Sequence, residues 1–68
     1  MEMYVLIGKD GQTEKVLAVS KDRKKLQEEI MRRKPEAKKL DENNYEVQVD
    51  AFMQKKVLTY QIREYRVD

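Results

Sequence analysis

The chain has no cysteine, no histidine and no tryptophan, only one proline, and two glycines among its 68 residues. Without cysteine there is no disulfide frame, and without cysteine or histidine there is no ordinary zinc site. The same absences remove thiol nucleophiles, imidazole bases and the common catalytic triads. The sole serine, Ser20, stands where a helix is expected to begin, which gives it a capping role. Gly8 and Gly11 are accounted for by a hairpin, so no Gly-rich phosphate loop is left. No run reaches the roughly 18 apolar residues of a membrane span. The opening Met1-Glu2-Met3-Tyr4 lacks the basic segment and apolar stretch of a signal peptide. The expectation is a non-catalytic, cytoplasmic protein with no cofactor, no metal and no membrane partner.

What the chain does contain is 41% charged and 40% hydrophobic residues. Tyr4-Val-Leu-Ile7, Val16-Leu-Ala-Val19 and Val57-Leu-Thr-Tyr60 are β-branched and aromatic clusters of the kind a disordered segment lacks. The length allows one domain, residues 1–68. A domain this small buries only about 60% of the surface its unfolded chain exposes. Stability must therefore come from a compact core, from self-association or from a bound partner.

Met3 to Gly8 is a predicted strand, Asp10-Gly11 a two-residue hairpin turn, and Gln12 to Ser20 the return strand. That turn sets Lys9 against Gln12, Ile7 against Glu14, Val5 against Val16 and Met3 against Ala18. One face then holds Met3, Val5, Ile7, Val16 and Ala18, and the other Tyr4, Leu6, Leu17 and Val19. A helix is expected from about Lys21 to Lys34, with Ser20 as N-cap and Pro35 ending it. Ala37 and Leu40 continue the apolar stripe of Leu26 and Ile30, so a second short helical turn starting at Pro35 is expected. After a turn at Asn43-Asn44, Tyr45, Val47, Val49, Ala51 and Met53 alternate with polar residues as a strand does. Val57 to Val67 reads as the last strand, with a bulge near Arg63-Glu64 or, in the competing reading, as a helix through Leu58, Ile62 and Tyr65. The expected fold is α+β: ββαββ, an antiparallel four-stranded sheet in the order 2-1-3-4, with one helix packed on one face.

Both faces of the first hairpin are apolar, and one helix covers one face. The uncovered one is expected to be a protein interface, through Tyr4, Leu6, Leu17 and Val19 with Tyr60 and Tyr65 at its margin. The bland alternative folds the C-terminal strand or residues 35–42 over that face. A second function class rests on charge. Residues 21–39 sum to +5, from nine Lys and Arg against four Asp and Glu. On a helix, Lys21, Lys25, Arg32 and Lys39 form one strip able to follow a nucleic-acid backbone. The plainer reading is a solvated helix face, and an acidic protein partner is the third. Asp41-Glu42 with Glu46 or Asp50 are the carboxylates available to a hard cation, but they lack calcium-loop spacing.

Tyr4-Val-Leu-Ile, Val16-Leu-Ala-Val-Ser20-Lys-Asp, Leu26 and Tyr60-Gln-Ile-Arg-Glu-Tyr-Arg-Val67 form a pattern along most of the chain. It resembles small uncharacterised proteins of phages and prophages of Gram-positive bacteria, which share a hairpin, a helix opened by Ser-x-Asp or Ser-x-Glu, and closing strands. The resemblance implies a phage early protein in the host cytoplasm that binds a host factor and modulates it. The expected partners are thus a host protein or a second copy in a homodimer, with nucleic acid as the alternative.

Overall fold

A computed structural model describes residues 2–51 and 54–66. The elements are β1 (Glu2–Asp10), β2 (Thr13–Ser20), α1 (Arg23–Arg33), β3 (Lys38–Lys39), β4 (Asn44–Ala51) and β5 (Gln54–Arg66). They form a five-stranded antiparallel sheet in the order β2-β1-β5-β4-β3, with α1 against one face. The class is α+β as expected, but the four-stranded 2-1-3-4 sheet is not what forms. The closing strand β5, not the strand after the helix, lies beside β1 and pairs with it from Asp10–Leu58 to Glu2–Arg66. Two physical facts account for the correction. The handedness rule for a helical crossover fixes its hand and not how many strands it passes. And β3, only Lys38–Lys39, is too short to show any periodicity. It pairs with β4 through Lys38–Glu46 and Lys39–Tyr45, so α1 links one edge of the sheet to the other and β5 returns to the middle.

The first hairpin also differs in register. Its loop residues are Gly11 and Gln12, with Asp10 paired to Thr13 and Ile7 to Val16. Gly11 has φ +62°, a conformation that side chains disfavour. Between Ile7–Val16 and Leu6–Ala18 the pairing slips by one, leaving Leu17 as an extra residue of β2. This bulge lies in β2; the one expected near Arg63-Glu64 is absent, since β1 and β5 pair without a slip there.

Asp22, rather than Ser20, caps α1: its Oδ1 accepts from the Lys24 amide at 2.9 Å, and Ser20 Oγ accepts from the Asp22 amide at 3.0 Å. The helix ends at Arg33, two residues before Pro35, with the Lys34 amide bonded to the Ile30 carbonyl. No second helical turn follows; residues 35–36 form a turn into β3. Ala37 packs against the core, while Leu40 is exposed. Val57–Arg66 is strand and not helix, and the alternation of Tyr45, Val47 and Val49 toward the core holds. Met53 and Val67 lie outside the described residues.

The core lies between sheet and helix: Leu6, Leu26, Ile30, Tyr45, Val47, Tyr60 and Ile62 are buried together. Leu26 and Ile30, one helical turn apart, supply the helix's share. Because the core cluster of the described residues lies on this side, truncation there should cost far more than truncation of an exposed residue on the other face. We expect Leu6→Ala to lose about 3 kcal/mol in urea unfolding followed by circular dichroism. Val16→Ala, on the other face, should lose less than about 0.5 kcal/mol. Equal losses would contradict the one-sided core.

Candidate interaction face

Strand alternation and register fix which residues point away from α1. Val5, Ile7 and Lys9 of β1 do so, as do Thr59, Gln61, Arg63 and Tyr65 of β5. On β2 the extra Leu17 resets the alternation. Ala18, opposite Leu6, joins Leu17 on the core side, and Val16 and Val19, opposite Ile7 and Val5, both face away from the helix. Without the bulge, two residues three apart would lie on opposite faces.

The helix-free face has one sealed spot within it. Ile7 is only 4% exposed although it stands apart from the core cluster. Its cross-strand neighbours are Val16 and Gln61. Glu14, two residues before Val16, and Arg63, two residues after Gln61, reach toward each other: Arg63 Nη2 lies 3.3 Å from Glu14 Oε1. The line between them crosses over Ile7. Lys9 Nζ holds the same oxygen at 3.1 Å, and Arg63 Nε donates to Gln61 Oε1 at 2.7 Å. The hydrogen bond from Lys9, followed by the charge of Arg63, holds the Glu14 carboxyl below its usual pKa despite the opposing effect of burial. Around this strut Val16, Val19 and Tyr65 stay 58%, 53% and 47% exposed.

The six residues proposed as one interface do not share a face. Leu6 and Tyr60 are buried in the core, and Tyr4 and Leu17 are partly buried against it. Leu17 lies over Gly8, where a Cβ would come within 2.9 Å of Leu17 Cδ1. Only Val19 and Tyr65 look away from α1. The sequence reading missed Val5, Ile7 and Val16 because it placed them on the face the helix was free to choose. The β2 bulge carries no local sequence signal except a glycine on the neighbouring strand.

The basic strip is divided between elements. Lys21 precedes the helix, Lys25 and Arg32 lie on it, and Lys39 belongs to β3 at the far edge of the sheet. Arg32 is paired with Glu29, which also accepts from Arg33 Nε at 2.8 Å. The carboxylates are separated as well. Asp41 Oδ1 closes its own turn by accepting from the Asn43 amide at 2.7 Å and from Asn44 Nδ2 at 2.9 Å. Glu42 approaches Arg23, whose guanidinium donates to the Glu42 carbonyl and to Asn43 Oδ1. Glu46 lies opposite Lys38, and Asp50 opposite Lys55. On the helix side, Gly8, Leu17, Leu58 and Tyr60 line a shallow groove to which α1 contributes no residue.

No protein-family model, curated protein or solved structure matches the chain. Among the described residues, no helix is long and apolar enough to cross a membrane.

Two outcomes follow from this geometry. Removing the strut with Arg63→Ala should uncover Ile7, so binding of a hydrophobic dye at neutral pH rises while the far-ultraviolet spectrum holds. No rise would mean that Ile7 is covered by something else. The second concerns Glu29, whose two arginine partners lower its pKa from 4.5 to about 2. A depressed carboxyl stabilises the fold above its unfolded pKa and loses that contribution as pH falls through the folded one. Helix signal should therefore decline between about pH 4.5 and pH 2. Glu29→Gln should flatten that part of the acid titration.

Proposed function

We propose that this chain is a non-catalytic protein-interaction module that docks a protein partner through the helix-free face of its sheet. The observation carrying this reading is the exposure of Val16, Val19 and Tyr65 on one face, grouped around Val5 and the covered Ile7. Isolated exposed apolar residues are ordinary, but a contiguous group on a flat sheet is typical of a surface that meets another protein. Tyr65 suits such a role, since its ring offers area and its hydroxyl tolerates a wet rim. The polar strut suits it too, because charges set among apolar residues favour a partner of complementary charge over indiscriminate association.

The phage-type pattern of the sequence extends the proposal: the partner is a host cytoplasmic protein whose activity the bound module alters. Docking without catalysis fits a chain whose side chains offer neither thiol nor imidazole.

The test is site-specific photocrosslinking from Tyr65 in host lysate, repeated with Val19→Lys and with Met31→Lys. Met31 is exposed on the helix, away from the proposed surface, and is the control. Val19→Lys should reduce capture at least about tenfold, as expected when a charge enters an apolar contact. Met31→Lys should leave it unchanged, and both variants should keep the wild-type circular dichroism. Capture that survives Val19→Lys, or that both variants abolish equally, would overturn the reading.

A further inference from the structure

The two edges of the sheet are built very differently. One is β3, a two-residue strand of lysines, and short charged strands resist pairing with another chain. The other is β2, eight residues long, proline-free and carrying Val16-Leu-Ala-Val19. Among the described residues β2 pairs only with β1, and no other main-chain bond reaches Thr13–Ser20. Its outward amides and carbonyls are therefore available to a further strand.

We infer that this further strand is β2 of a second copy, paired antiparallel about a two-fold axis so that two five-stranded sheets become one. The inference goes beyond the docking reading and does not depend on it, because main-chain pairing at the edge needs no partner on the face. Register selects this partner. In an isologous antiparallel pair, opposed residues must point to the same side of the joined sheet. The bulge puts Glu14, Val16 and Val19 on the helix-free side, and Leu17 and Ala18 on the helix side. The register centred on Lys15 matches sides but sets two lysines directly opposite each other, whereas the one centred between Leu17 and Ala18 also matches sides, along residues 15–20.

That register is also chemically self-complementary. Val16 opposes Val19 of the second copy, and the larger Leu17 opposes the smaller Ala18. Glu14 opposes Lys21, which lies just past the strand and is exposed. Symmetry makes each pair twice. Apolar and opposite-charge pairs across strands both stabilise a sheet, and like charges directly opposite destabilise it. The joined sheet also sets the two Val16–Val19 groups side by side on the helix-free face, where they form one larger apolar strip.

The absence of cysteine allows the register to be read by crosslinking. Directly opposed residues have Cα atoms about 4.5–5.5 Å apart, inside the range of a disulfide. A mixture of chains carrying Val16→Cys and chains carrying Val19→Cys should give a covalent dimer on mild oxidation. Either variant alone should give almost none. Its two identical cysteines stand about three residues apart along the strands, roughly 10 Å, which is beyond disulfide reach. Light scattering should give the uncrosslinked protein twice its 8.2 kDa chain mass at high micromolar concentration. Lys21→Glu should weaken the dimer about tenfold, and Tyr65→Glu should leave it intact. A monomer mass with a native spectrum would overturn the inference and leave the docking face standing. So would crosslinks as strong in the single variants, or a dimer that Tyr65→Glu dissociates, since the copies would then meet by their faces.

Discussion

Leu17 is one residue more than β1 can pair, and the room for its side chain comes from Gly8, where a Cβ would press within 2.9 Å of Leu17 Cδ1. Much of the molecule follows from that contact. Because Leu17 and Ala18 both turn inward, the edge strand gives two neighbours to the core rather than one. Because the alternation then resumes out of phase, Val16 and Val19 both turn outward. A regular strand would have put one valine into the core and one out. The bulge thereby concentrates apolar surface on the side that the helix does not cover.

That side stays uncovered because the one described helix packs on the other, and even there it is short beside the sheet. Eleven residues of helix extend about 16 Å, whereas the 13 residues of β5 extend roughly 43 Å. The molecule is 47 Å in its longest dimension and 17 Å in its shortest, a helix laid on part of one long sheet. What the helix cannot shelter is handled in two ways. Ile7 is roofed by Glu14 and Arg63, side chains that reach over it from the two strands flanking β1. Val16, Val19 and Tyr65 receive no such roof and stay about half exposed.

Much of this was legible from residue pattern. The first hairpin, the helix over Leu26 and Ile30, and the strand alternation of Tyr45, Val47 and Val49 all carry periods that show in a single sequence. The general point that one face of the sheet would keep apolar residues was legible too. Which face it would be was not, because both faces of the hairpin are apolar and the outcome depends on the Gly8–Leu17 contact between strands. β3 was invisible for a simpler reason, as two lysines have no period. Missing it misplaced β5, since only a hairpin at the far edge brings the last strand back to the centre. The proposed interface mixed the two faces in consequence: Leu6 and Tyr60 were read as surface and are core.

The division into a sheltered and an unsheltered face also bears on how such a small chain stays folded. Among the described residues its core cluster consists of seven buried side chains, and the chain has no disulfide to restrain the unfolded state. Anything that binds the folded form alone adds to stability by mass action. For a chain near the limit of independent folding, burial of that apolar surface by any partner would add to stability in this way. The opposite edge shows the contrasting solution: Lys38 and Lys39 end the sheet with charge and brevity. A protein that needed only to avoid association could have closed both edges that way. The sequence closes one and leaves the other, β2, eight residues long with Val16 and Val19 turned outward.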